Sequence, residues 1–273
     1  MSLRLALAQI RVESGAQLEN LKRACDAVGA AARTGANLVL LPEALPFGWT
    51  SDSAIKAATE IPEGLHCRQF RQAAIENRIY VCAGLVERAG EKLFNSAVLI
   101  DPEGEVLIHH RKIYELDIAH QIYALGDRLS VAGTKLGRIG VMICADGFAP
   151  DQVISRSLGL MGADIIVSPC AWAVPADHDN NKEPYGKLWL DNYGPVARDF
   201  RVWIAGCSNV GPIADGPWKG RKCIGCSMLI GPDGEPVVRG PYGENSSALL
   251  VAEIELDARP APGTEWEQLY RRR

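Results

Sequence analysis

The same order of elements occurs twice along the chain, and this internal repetition most constrains the fold. In the first half, strand-like and helix-like segments alternate and end in a predicted hairpin over 95–112, with a Pro-Glu-Gly turn. The second half repeats this order and ends in a predicted hairpin over 227–239, with Pro-Asp-Gly at its turn. Alternating strands and helices indicate βαβ units. Because no Ser/Gly-rich linker separates the halves, we predict one domain over 1–273, a four-layer α/β/β/α sandwich with the helices outside.

The first predicted helix, over 20–33, places apolar residues three or four positions apart, at Leu21, Ala24, Val28 and Ala31. A second helix is predicted over 65–77. The remaining elements are predicted strands at 3–10, 36–44, 78–87, 137–146, 163–172 and 201–209, and predicted helices at 151–161 and 185–200.

Composition excludes several classes of partner. The chain has 273 residues, 47% of them hydrophobic, with a formal net charge of −4 and a pI near 5.8. This charge offers no basic field for nucleic acid or for an anionic membrane surface. No apolar run reaches the roughly 18 residues that a membrane-spanning helix needs, and the N-terminus is too briefly apolar for a signal peptide. We therefore expect a cytoplasmic protein that acts on a small molecule.

Eight cysteines are scattered through the sequence, mostly within apolar runs, as expected for buried free thiols. The pair Cys223 and Cys226 forms a C-x-x-C motif. A zinc site would need a second ligand pair, and a thioredoxin-type site would open a helix, whereas this motif precedes a strand-like segment. We interpret the pair as structural and predict no metal site.

Three polar residues lie at the ends of predicted strands, at the edge where α/β folds bind ligands. Cys144 lies near the end of "GRIGVMICAD", and a turn there would expose its sulfur beside the backbone N–H of Ala145, a possible oxyanion donor. By position alone, Cys144 could equally be a small buried hydrophobic residue. Glu43 follows "LVLLP" and Lys112 follows "IHHR". Together the three supply a base, a cation and a nucleophile.

Asp146, Gly147 and Pro150 follow Cys144 closely along the chain. We interpret these three as ordinary turn and helix-start residues.

The sequence resembles the nitrilase or carbon–nitrogen hydrolase superfamily over nearly its whole length. The segments that resemble it are "LALAQI", "LVLLPEAL", "NSAVLIDPEGEVLIHHRK", "IGVMICADGFAPD", "GADIIVSPCAW" and "GCSMLIGPDGE". The resemblance implies the four-layer fold, with Glu43 as general base and later acid, Lys112 as oxyanion stabiliser and Cys144 as nucleophile. It also implies a homodimer or higher homo-oligomer whose outer helices pack across a two-fold axis, and we expect the tail 257–273 in subunit contacts. This chemistry needs no cofactor.

One departure concerns a second glutamate that many members of the superfamily have beyond the lysine. The corresponding stretch of this chain offers His120 and Gln121, neither of them a carboxylate. Glu115 and Asp117 lie nearer to Lys112 in sequence than that role suggests. Either one of these acids substitutes, or His120 does, or the site accepts a different substrate; His120 could also be an ordinary loop residue.

The predicted activity is hydrolysis of a carbon–nitrogen bond in a small amide through a cysteine thioester, with release of ammonia or an amine. An N-carbamoyl amidohydrolase and a nitrile hydrolase are alternatives that use the same site. A non-catalytic binding or scaffold protein is an alternative of another class, suggested by the missing glutamate. Trp49, Tyr114 and Trp172 flank the catalytic strand ends and are candidate substrate-binding residues, although two or more could simply pack in the core.

Overall fold

The computed structural model describes residues 2–257 and Gly263. Most of the tail 257–273, for which subunit contacts are predicted, therefore lies outside the described residues. Within the described part of the chain, no helix is long and apolar enough to cross a membrane.

The first sheet has six strands in the order β15-β1-β2-β3-β4-β5. Its strands are β1 (Ser2–Gln9), β2 (Leu38–Leu40), β3 (Tyr80–Ala89), β4 (Lys92–Ile100), β5 (Val106–Arg111) and β15 (Ala248–Glu255). Strands β1, β2 and β3 are parallel, β4 and β5 form the predicted hairpin, and β15 pairs antiparallel with β1. The helices of this half are α1 (Gln17–Arg33), α2 (Ala54–Ala57) and α3 (Leu65–Asn77).

The second sheet also has six strands, in the order β14-β13-β10-β8-β7-β6. Its strands are β6 (Val131–Thr134), β7 (Gly137–Val141), β8 (Ile165–Cys170), β10 (Trp203–Ser208), β13 (Met228–Ile230) and β14 (Pro236–Arg239). Helix α4 (Val153–Leu160) connects β7 to β8, and α5 (Lys187–Phe200) lies between β8 and β10. A small third sheet contains β9 (Ala173–Val174), β11 (Val210–Pro212) and β12 (Lys222–Ile224).

The two large sheets have equivalent topologies, which confirms the repetition predicted from the sequence. Each contains three central parallel strands, a hairpin along one edge and an antiparallel strand along the other. The edge strands β15 and β6 were not predicted.

Alternation along β1 explains the layers. Leu5 and Leu7 belong to a core cluster shared with the second sheet, whereas Ala6 and Ala8 belong to the cluster that contains α1 and α3. Successive side chains of a strand point to opposite faces, so β1 contacts a sheet on one side and helices on the other. Helices α4 and α5 cover the second sheet, and the predicted α/β/β/α arrangement is confirmed.

Two details differ from the prediction. Strand β7 ends at Val141, so Cys144 lies beyond the strand and opens a 3-10 helix, Cys144–Phe148. Likewise β2 ends at Leu40, three residues before Glu43. In both cases the chain leaves the sheet before the polar residue, which places the side chain in the space beyond the sheet edge.

Candidate active site

Glu43 is held by backbone contacts to the neighbouring strands of both sheets. Its N–H donates to the carbonyl of Cys170 at the end of β8 (3.1 Å), and the preceding Pro42 carbonyl accepts from Gly84 N–H on β3 (3.0 Å). Gly84 is required here because an added Cβ would lie 2.5 Å from the Cα of Glu43. The Glu43 side chain is consequently buried, with 1% of its surface exposed.

Lys112 directly follows β5 and is equally buried. Its N–H donates to the carbonyl of Asn95 on β4 (2.8 Å), which fixes the backbone. Its Nζ donates to Glu43 Oε1 and to Glu115 Oε1, both at 2.8 Å. The Asn95 amide donates to the same two carboxylates, at 2.6 Å to Glu43 and 3.0 Å to Glu115. One cation and one amide therefore hold two buried carboxylates.

Cys144 has a left-handed backbone conformation, with φ of 43°, at the start of its 3-10 helix. A non-glycine residue rarely adopts this conformation, and such strained turns occur where a nucleophile must point away from a sheet. Its N–H donates to Ser168 Oγ on β8 (3.0 Å). The residue is 9% exposed, and Ala145 follows it within the same helix.

The charges of the site interact strongly. Burial raises the pKa of the Glu43 carboxyl, a shift that Lys112 opposes and Glu115 reinforces. Burial disfavours the charge on Lys112, but Glu43, Glu115 and Cys144 outweigh it and raise its pKa well above the ordinary value. Burial, a hydrogen bond with Cys170 and the charge of Glu43 raise the pKa of the Cys144 thiol well above its usual range. The resting site thus contains a protonated thiol that needs a base.

Glu115 lies beside Lys112, in the place for which His120 and Gln121 were considered. The 3-10 turn Asp117–Ala119 directs the chain outward after Glu115, and both His120 and Gln121 are exposed. The chain bends at 113–114, directly after β5, and this bend brings Lys112 Nζ to 2.8 Å from Glu115 Oε1. His120 and Gln121 do not reach the site.

The predicted pocket aromatics differ in position. The ring of Trp49 lies with its centroid 5.8 Å from Lys112 Nζ, and Tyr114 is 39% exposed. Trp172 is 1% exposed and stacks on Trp189 with centroids 4.5 Å apart, in the same buried cluster as Cys144.

Sequence reasoning did not identify Tyr185. Its hydroxyl accepts a hydrogen bond from Trp189 Nε1 (2.9 Å). Burial raises the pKa of Tyr185 well above the ordinary value, and the charge of Cys144 contributes to this shift. The Tyr185 hydroxyl therefore lies within electrostatic range of the nucleophile candidate.

Three further polar residues support the site and were missed or underestimated. Asn95 and Ser168 lie inside apolar strands, where a polar side chain is unusual and would have been the available signal. Asp146 was interpreted as a turn residue, but its carboxylate is fully buried and accepts four hydrogen bonds.

Within residues 2–257 and Gly263, no three His, Cys, Asp or Glu side chains form a group that could hold a metal ion. All eight cysteines, including Cys223 and Cys226, are free thiols in the structure.

The fold is a four-layer α/β/β/α sandwich, and a Glu, a Lys and a Cys are buried beyond its sheet edges. This combination is typical of a class of hydrolytic enzymes. A model of the carbon-nitrogen hydrolase family matches residues 4–260, and the chain belongs to this family, within the nitrilase superfamily. It is a carbon–nitrogen hydrolase, and this membership favours an enzyme over the scaffold alternative.

Individual relatives agree with this assignment. The chain is 35% identical to omega-amidase NIT2 of Xenopus tropicalis over 93% of this chain and 89% of that protein. It is 31% identical to a nitrilase of Pyrococcus abyssi over 87% of this chain and 84% of that protein. An amidase from Nesterenkonia sp. AN1 shares the fold, with a TM-score of 0.79 at 21% identity over 99% of both chains.

Proposed function

We propose that this protein hydrolyses a small linear amide through a thioester on Cys144, with Glu43 as the proton carrier and Lys112 as the oxyanion stabiliser. The observation that most supports this is the position of Lys112 Nζ, 2.8 Å from both Glu43 and Glu115 and within electrostatic range of Cys144. A fixed cation beside a base and a thiol supplies the oxyanion stabiliser, the proton acceptor and the nucleophile used in acyl transfer.

In the first half of the reaction, Glu43 takes the thiol proton while the Cys144 sulfur bonds to the amide carbon. The C=O electron pair moves onto oxygen, where Lys112 and the N–H of Ala145 stabilise the negative charge. The C–N bond then breaks, and Glu43 returns the proton to nitrogen, so that ammonia or an amine leaves and a thioester remains.

In the second half, Glu43 takes a proton from water, and the hydroxide bonds to the thioester carbon. The C–S bond breaks through a second oxyanion, the sulfur regains a proton, and the carboxylic acid leaves. The raised pKa of Glu43 suits this alternation, because a carboxyl whose pKa lies nearer the working pH both accepts and returns protons readily.

The similarity to omega-amidases favours ω-amides, primary amides at the far end of a carboxylic acid, as substrates. N-carbamoyl compounds and nitriles react at the same kind of site and remain alternative substrates. Ammonia release should be compared across an ω-amide, an unsubstituted aliphatic amide, an N-carbamoyl amino acid and a nitrile.

The test of the mechanism is Cys144→Ala. We expect no ammonia release above background, an unchanged thermal unfolding midpoint, and an acyl adduct on the Cys144 peptide of the wild type by mass spectrometry during turnover. Cys226→Ala is the matched control, because Cys226 is a half-buried cysteine that also has a left-handed φ of 59°. Wild-type turnover by Cys144→Ala would refute the proposal.

A further inference from the structure

Asp146 is a fully buried carboxylate whose four hydrogen-bond donors come from two separate parts of the chain. Its Oδ1 accepts from the backbone N–H groups of Ile113 (3.0 Å) and Tyr114 (2.8 Å). Its Oδ2 accepts from the backbone N–H of Ile143 (2.9 Å) and from His110 Nε2 (2.8 Å).

These donors flank the two reacting groups in sequence. Ile113 and Tyr114 directly follow Lys112, and His110 precedes it by two residues. Ile143 directly precedes Cys144. One carboxylate therefore joins the backbone next to the oxyanion stabiliser to the backbone next to the nucleophile, although the two lie in different halves of the chain.

We propose that Asp146, with His110 as its side-chain donor, is a positioning residue that fixes the distance between Lys112 and Cys144. This inference rests on the proposed function, because it assigns those two residues their roles. In this role Asp146 acts on neither reacting atom directly. It acts through the backbone segments that carry Lys112 and Cys144.

A carboxylate is needed for this role because its two oxygens offer about four acceptor directions and no donor. All four N–H groups point at those oxygens, so each direction is used. An amide of the same shape would turn an NH₂ group toward two of these donors and leave at least one backbone N–H without an acceptor.

His110 is positioned by the same contact. The His110 Nε2 lies 2.8 Å from Asp146 Oδ2, and a carboxylate oxygen accepts from a ring N–H at that position. Its buried Nδ1 has no hydrogen-bond partner within the described residues. Among the described residues, the hydrogen bond to Asp146 is therefore the contact that orients the ring.

The test is Asp146→Asn, with Glu87→Gln as a matched control. The Glu87 carboxylate is also buried and also accepts four hydrogen bonds. One comes from His109, the neighbour of His110 in sequence, one from Ser96 and two from Arg111. All of these donors are side chains, so Glu87 holds no backbone N–H beside Lys112 or Cys144, although the Arg111 side chain belongs to the residue before Lys112. The control thus removes an equal charge from a buried carboxylate with the same number of hydrogen bonds, none of which comes from the segment of Cys144.

We expect Asp146→Asn to lower kcat by about 10- to 100-fold, as a small misplacement of reacting groups does, with KM changed by less than about threefold. The alkylation rate of Cys144 by iodoacetamide should fall in parallel. Glu87→Gln should keep kcat within about twofold of wild type, even if its thermal unfolding midpoint falls as much as that of Asp146→Asn. Stability and positioning are separate effects. Equal kcat for both variants, or wild-type kcat for Asp146→Asn, would overturn the inference.

If Asp146→Asn fails to fold, His110→Leu and His110→Gln replace it. Leucine removes the donor and should lower kcat, whereas glutamine can still donate to Asp146 and should recover part of it; equal values for the two would overturn the inference. Failure of the proposed function is separate, because it would appear as activity in Cys144→Ala. Loss of activity in Cys144→Ala with full activity in Asp146→Asn would refute only the positioning role.

Discussion

Gly84→Ala should lower activity strongly although it changes none of the side chains proposed to react. Gly84 lies on β3, where its backbone exchanges hydrogen bonds with Pro42 and Leu45 on either side of Glu43. A methyl group at this position would lie 2.5 Å from the Cα of Glu43, 2.6 Å from the carbonyl oxygen of Pro42 and 2.9 Å from the amide nitrogen of Ala44. All three atoms belong to the backbone, so no side chain can rotate away to make room.

The size of the effect follows from these distances. Nonbonded carbon atoms pack at about 3.5–4.0 Å, so the Glu43 segment must move by about 1 Å. A shift of 1 Å in a catalytic group can cost about 100-fold in rate. Overpacking of a filled core costs about 1–3 kcal/mol of unfolding free energy. We therefore expect kcat to fall by about 100-fold, with a smaller change in KM and a modestly lower unfolding midpoint.

Steady-state ammonia release measures kcat and KM, and differential scanning fluorimetry measures stability. Gly133→Ala is the matched control, because Gly133 lies on β6 and an added Cβ meets nothing within 4 Å. This control should keep wild-type kcat. A Gly84→Ala enzyme with kcat within about threefold of wild type would refute the conclusion that this close backbone approach places Glu43 for catalysis.

Three further predictions concern the charges around the site. Lys112→Gln keeps a hydrogen-bond donor but removes the cation, and should lower kcat by about 100- to 1000-fold. A loss below about fivefold would contradict the proposal that Lys112 stabilises the oxyanion. Glu115→Gln removes a negative charge that raises the pKa of Glu43, so the acid limb of the kcat/KM profile, where Glu43 becomes protonated, should move to lower pH; an unmoved or higher limb would contradict this. His120→Ala should leave kcat within about twofold and the pH profile unchanged, because the side chain is exposed and lies away from Lys112; a changed profile would return His120 to the site.

The sequence alone determined the architecture and selected the three principal candidate residues of the site. Hydrophobic periodicity and the two turn motifs are local properties, and they were sufficient to predict two equivalent βαβ halves with hairpins. Glu43, Lys112 and Cys144 could be selected because each follows an apolar segment and lies in a motif that resembles the superfamily. Strand β15 was not predicted, since it joins the sheet through pairing with β1, more than 200 residues earlier in the chain.

Only the tertiary structure decided which residues support those three. The sequence spacing made Glu115 look too close to Lys112, but the bend at 113–114 makes that short spacing suitable, and the 3-10 turn Asp117–Ala119 leaves His120 at the surface. Asp146 follows Cys144 so closely that turn chemistry was a sufficient explanation until the fold brought Ile113 and Tyr114 to its carboxylate. A hydrogen bond between residues some 30 positions apart leaves no local pattern in the sequence, because its geometry exists only after the two sheets have packed together.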